Sequence, residues 1–223
     1  MVAPVTRLTK AEVDWLATHR CKAHSHLFLS HYNCYLREHG LEEKLGFFDI
    51  ETSGLQASFD YMLCYCIKVG KSNTILHRVI TKAEIEDPDT LDKNVVESCI
   101  ADIKKFDVIL GHYSTRFDTV FLRSRALYWN LDFPGYGEIK HKDTYYMCRN
   151  LLKLHSNRLE AACQHVLGKT RKTHLDPKQW IRGKLGDEDS LKYILDHCKK
   201  DVRDLEDLYY ALEKYTKNTR RSI

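Results

Sequence analysis

Two carboxylates stand at alternate positions of an apolar run, Phe48-Asp49-Ile50-Glu51-Thr52. In an extended strand Asp49 and Glu51 leave the same face, along with Phe47, while Phe48 and Ile50 leave the other. Two ions side by side on a central strand repel one another and lose hydration, at several kcal/mol per buried ion unless a positive charge lies between them. A divalent cation resolves that conflict; a solvated strand end carrying two acids is the alternative. A third acid, Asp118, follows the buried-looking run Asp107-Val108-Ile109-Leu110-Gly111 and a short loop, and precedes Thr119-Val120-Phe121-Leu122. It is suited either to cap the helix that begins there or to face the first strand's acids. His197 and Asp201, four apart in a long amphipathic segment, share one helical face; alone they are an ordinary surface pair.

A softer donor set lies upstream. Cys21-x2-His24 and His31-x2-Cys34, with His26 nearby, offer two thiolates and two imidazoles, the ligands of tetrahedral Zn²⁺. The six residues between His24 and His31 make a shorter span than the usual zinc-finger loop. A packed or partner-facing helical hairpin is the other reading.

These side chains need elements to position them. Thr9-Lys10-Ala11-Glu12 is a capping-box pattern that predicts a helix from Thr9 to about Thr18. A polar link, Arg37 to Lys44, separates this Cys/His-rich helical extension (residues 1–44) from the rest (45–223). From Leu45 the pattern turns to strands over 46–51, 61–68 and 74–80, separated by Thr52-Ser53-Gly54 and Gly70-Lys71-Ser72-Asn73, which predicts an antiparallel meander. Leu91, Val95, Cys99, Ile100 and Ile103 give a helical period over 90–106; a strand follows at 107–111, then helices over 118–128, 144–152, 158–167 and 190–215. Strands followed by alternating helices and strands predict an α/β fold with a mixed central sheet.

The whole-chain figures exclude several classes. At 223 residues the chain is one domain, or one domain with an appendage, able to bury roughly 70% of its unfolded surface. Its 43% hydrophobic and 11% aromatic content excludes a disordered chain. No apolar run approaches the ~20 residues of a membrane span, and the first residues lack a secretion signal, so an intracellular, cytoplasmic protein without membrane partners is expected. Of eight cysteines, Cys64, Cys66, Cys99, Cys148 and Cys163 lie in apolar segments and are read as reduced core thiols. The net charge of +4 permits a nucleic-acid partner without requiring one.

Taken in order, Phe48-Asp49-Ile50-Glu51-Thr52, the loop Gly111 to Asp118, and His197-x3-Asp201 resemble the three motifs of the DEDD (DnaQ-like) 3′-to-5′ exonucleases of the ribonuclease H-like superfamily. The similarity runs over about residues 45–215. It is strongest to the polymerase-type proofreading and phage or prokaryotic branches, so a viral or prokaryotic origin is expected. Two positions depart from the pattern: Tyr113 stands where many members carry Asn, and His197-x3-Asp201 joins the histidine of one third-motif form to the spacing of the other.

The resemblance implies a ribonuclease H-like fold in which Asp49, Glu51, Asp118 and Asp201 hold two Mg²⁺ or Mn²⁺ ions, with His197 in the water-activating position. It also implies single-stranded 3′ ends as substrate, DNA favoured over RNA, and a polymerase or another replication, repair or processing protein as partner. An endonuclease or junction resolvase, and a non-catalytic nucleic-acid-binding module, are the other function classes. A polyanion must reach such acids past basic groups, for which Arg116, Arg123, Arg125, Lys140, Lys142 and the run Lys169 to His174 are candidates. Tyr113, Phe117, Tyr145 and Trp180 are candidates to stack on bases. The expected substrate-contact set is Thr52, His112, Tyr113, Arg116, Asp143 and Lys172.

Overall fold

The capping box at Thr9 opens α1 (Lys10–Thr18) in the computed structural model, which describes residues 8–171, 173 and 176–216. The Thr9 hydroxyl accepts from the Glu12 amide, and the Glu12 carboxylate accepts from the Thr9 amide. The segment expected as a polar link begins instead inside α2 (Tyr32–Glu38). Leu16, Cys21, Phe28 and Cys34 form the small core around these two helices, with Tyr35 against it. The chain divides between Lys44 and Leu45 into two compact units.

In the second unit the expected meander is β1 (Leu45–Thr52), β2 (Met62–Val69) and β3 (Ile75–Val79). After α3 (Lys82–Glu86) and α4 (Lys93–Ile103) come β4 (Val108–Gly111), α5 (Asp118–Tyr128), β5 (Lys140–Asp143), α6 (Thr144–Leu151), α7 (Leu159–Leu167), α8 (Pro177–Lys184) and α9 (Glu188–Glu213). The five strands form one mixed sheet in the order β3-β2-β1-β4-β5. β1 pairs antiparallel with β2 and parallel with β4, and β5 adds parallel to β4 at the edge. The fold is α/β, a mixed sheet with helices, as expected.

Register decides which face meets which helix. Ile50 lies opposite Tyr65, whose hydroxyl bonds Ser98 and Asp102 of α4, so α4 covers that face. Asp49 lies opposite Cys66 and Glu51 opposite Cys64; on this face α9 packs, with the Cys198 thiol 3.5 Å from the Asp49 carbonyl oxygen. All eight cysteines are free and buried.

Three elements of the second unit escaped the sequence reading: α3, opened by a capping box at Thr81, β5 and α8. β5 is Lys-His-Lys-Asp, a polar edge strand without the apolar alternation that marks a half-buried one. α8 has local start signals that were not read: Asp176 accepts from the Lys178 amide and Pro177 occupies the first turn, where its missing N–H costs nothing. Gly168 ends α7 in the left-handed conformation (φ 70°), as its position at a helix end predicts.

One buried ion pair ties the α4 side together. Arg125 of α5 donates to both oxygens of Asp92 at 3.0 and 2.7 Å, and the Trp129 indole and the Met62 amide also donate to Asp92. Arg125 therefore belongs to the interior and not to a basic rim. Among the described residues no helix is long and apolar enough to cross a membrane.

Candidate active site

β1 runs beyond its parallel neighbour. Its pairing with β4 ends at Phe47–Leu110, so Asp49, Ile50 and Glu51 project past the point where β4 turns away. The Ile50 amide is satisfied by a side chain instead: it donates to Asp118 Oδ1 at 3.1 Å. Asp118 is thus no helix cap. Phe117 holds that position, and Asp118, buried as the first residue of α5, is turned onto the β1 backbone between the two strand acids. From the other side α9 brings His197 and Asp201, buried and one turn apart, with Nε2 3.8 Å from Asp201 Oδ2. One donor atom from each of Glu51, His197 and Asp201 lies within 4.8 Å of the others, close enough for a single metal ion.

Electrostatics follow from this crowding. Burial, then the charges of Glu51, Asp118 and Asp201, push the Asp49 carboxyl well above the usual carboxylate range. Burial pushes Asp118 up to about 7, against the opposing hydrogen bond from the Ile50 amide. Carboxylates held this way favour a proton or a cation. Oxygen-rich donors with one imidazole can hold Mg²⁺ or Mn²⁺.

His197 sits deeper than a residue that works on water from an open cleft. It is 2% exposed, packed edge-on against Trp180 at 5.6 Å between ring centroids, with Nδ1 3.4 Å from the Thr173 hydroxyl.

A cleft of about 330 Å³ opens over the acids, lined by Asp49, His112, Tyr113, Tyr145, Arg158, Leu159 and Asp201. Its wall is the β4–α5 loop. Tyr113 takes a left-handed conformation (φ 64°), unfavourable for a residue with a Cβ, and is held there by Asp143. The Asp143 carboxylate accepts from the amides of Tyr113, Thr115 and Tyr145 and from the Thr115 hydroxyl. The exposed Tyr113 ring meets Tyr145 edge-on at 4.8 Å. Gly111 lets the loop fold back: a Cβ there would lie 2.0 Å from the Ser114 hydroxyl oxygen. His112 is fixed through both ring nitrogens, to the Thr144 hydroxyl at 2.9 Å and the Asn157 carbonyl at 2.8 Å.

Of the remaining expected contacts, Thr52 is buried and its hydroxyl donates to the Gly54 carbonyl. Asp143 is buried behind the loop it organises. Arg116 is exposed and donates to the Tyr146 hydroxyl. Lys172 lies outside the described residues, as does His174. Lys142 donates to Tyr209 and Arg171 pairs with Asp204 and Asp207, so both serve the packing of α9. Arg158, missed in the sequence, is the basic residue that lines the cleft among the described residues. Nothing local distinguishes it from the other basic residues; only the start of α7 brings it there.

The profile of the RNase_H_2 family, part of the RNase H superfamily, matches residues 46–213. The chain belongs to the RNase H superfamily. No curated protein matches its sequence. Among solved structures this RNase H superfamily member is similar in fold to the family B DNA polymerase from the hyperthermophilic archaeon Pyrobaculum calidifontis, with a TM-score of 0.63 at 16% identity. The match covers 78% of this chain but only 25% of the polymerase, so the chain corresponds to about a quarter of that protein's length.

Proposed function

We propose that this protein is a metal-dependent 3′-to-5′ exonuclease of the DEDD type that trims single-stranded nucleic-acid ends, DNA in preference to RNA, through residues 45–223. The observation that carries the reading is the convergence of Asp49 and Glu51 from β1, Asp118 from α5 and Asp201 from α9 at the end of one buried strand. In this reading the four acids hold two Mg²⁺ or Mn²⁺ ions, and His197 joins Glu51 and Asp201 as a donor from the helix side. Bound cations at such a centre supply an activated water for phosphodiester hydrolysis and charge to offset that which builds on the leaving 3′ oxygen. Tyr113 and Tyr145 offer faces and edges to the terminal base, and Arg158 meets a phosphate at the cleft mouth. Asp143 acts indirectly, by holding Tyr113 in place.

A time course on end-labelled single- and double-stranded DNA and RNA, with Mg²⁺, Mn²⁺ or EDTA, tests the proposal. The expected result is a ladder receding from the 3′ end of single strands, absent in EDTA. Asp49→Asn and Asp201→Asn should each lose at least the ~100-fold that follows loss of a mere supporting contact to a metal ligand, with far-UV circular dichroism unchanged. Full activity in either variant refutes the site. Cleavage of a circular single strand, which has no end to start from, would assign the chain to the endonucleases instead.

A further inference from the structure

We propose that Cys21, His24, His31 and Cys34 hold one structural Zn²⁺, and that the N-terminal unit keeps its fold only with that ion. The four donor atoms lie within 4.8 Å of one another. Zn–S bonds of about 2.3 Å and Zn–N bonds of about 2.0–2.1 Å at tetrahedral angles place donors roughly 3.4 to 3.8 Å apart. The Cys34 sulfur is 3.2 Å from His31 Nδ1 and 3.5 Å from His24 Nδ1, and the Cys21 sulfur is 3.9 Å from His24 Nδ1. Two pairs of residues, ten apart across the turn between the helices, therefore already lie near three of the six edge lengths of one coordination tetrahedron.

Two further features fit a metal better than a packed hairpin. His24 is exposed, yet its Nδ1 faces two sulfurs instead of water. His31 occupies the N-cap of α2 without a side-chain capping bond, its ring being turned to Cys34.

The energetic need points the same way. Among the described residues the unit's buried apolar side chains are Leu16, Cys21, Phe28 and Cys34, two of which are proposed ligands. At 44 residues the unit lies close to the length of about 40 below which folded pieces usually require a metal, disulfides or a partner, and here both thiols are free. Where no preformed site exists in the unfolded chain, metal-binding energy becomes folding energy. His26, with Nδ1 3.3 Å from His31 Nδ1, stands beside the tetrahedron and is not one of its corners.

The test uses the full chain. Metal analysis should find about one zinc per chain, and exchange for Co²⁺ should give the ligand-field and thiolate charge-transfer bands of a tetrahedral sulfur–nitrogen site. Cys21→Ser and Cys34→Ser should lose the metal, while His26→Ala and Asp201→Asn retain it. In the unaltered protein a zinc chelator should make Cys21 and Cys34 alone reactive to alkylation and open the chain to protease before Lys44, leaving residues 45–223 intact; this readout does not depend on any variant folding. Absence of zinc and of cobalt–thiolate bands, or an N-terminal unit that stays protease-resistant after chelation, overturns the proposal. So does metal lost in Asp201→Asn but kept in the cysteine variants.

Discussion

Asp118→Asn exchanges a buried carboxylate for an amide whose oxygen can still accept from the Ile50 amide, so it isolates the effect of charge. The Asp118 carboxyl is pushed up to about 7 by burial, against about 3.9 in an unfolded chain. Between those values the unfolded chain has released its proton while the folded chain still holds it. The unfolded state then binds fewer protons, and stability falls as pH rises through the window. At about 1.4 kcal/mol per pH unit, a window of about three pH units carries about 4 kcal/mol as an upper figure. In EDTA the variant and wild type should be equally stable near pH 4, and the variant should gain progressively to a plateau above about pH 7. Removing the Asp118 charge also relieves Asp49, which acts in the same direction. For a unit of this size the gain corresponds to a Tm difference on the order of 10 °C. Urea unfolding followed by far-UV circular dichroism from pH 4 to pH 8 measures it. Adding Mn²⁺ should stabilise the wild type more than the variant and shrink or reverse the difference. A difference that is flat with pH, or a variant less stable than wild type at pH 8 in EDTA, would refute the reasoning.

The substrate side and the scaffold give separable outcomes. Tyr113→Ala should raise KM for single-stranded substrate by roughly fivefold to a hundredfold, the 1–3 kcal/mol of one stacked base, with a smaller change in kcat; an unchanged KM removes Tyr113 from the substrate path. Asp92→Ala strands the buried Arg125 charge and leaves the Trp129 and Met62 donors without their acceptor. It should cost about 3–5 kcal/mol in urea unfolding with activity per folded molecule unchanged, and a loss below about 1 kcal/mol would mean that water takes over these bonds.

What was legible in the sequence was what the chain repeats locally. β-rich runs bounded by turn residues marked β1, β2 and β3, the helical period marked α4, α5, α6, α7 and α9, and the Thr9–Glu12 box marked the start of α1, because each depends on residues within a few positions of one another. The pairing of Asp49 with Glu51 on one face, and of His197 with Asp201 on another, was fixed by the same short periods. β5 was not legible: its polar residues acquire a strand conformation only by pairing with β4. Asp118 read equally well as a helix cap, and only the early end of the β1–β4 pairing, which leaves the Ile50 amide to be satisfied, turned it to the acids. Arg125 read as one more surface cation, yet Asp92, thirty-three residues away, holds it in the interior. Tertiary structure likewise chose Arg158 for the cleft mouth and made Asp143 the support of Tyr113. Spacing along the chain determines which side chains share a face; which faces meet, and so which charges must be neutralised together, is decided only when distant segments close on one another.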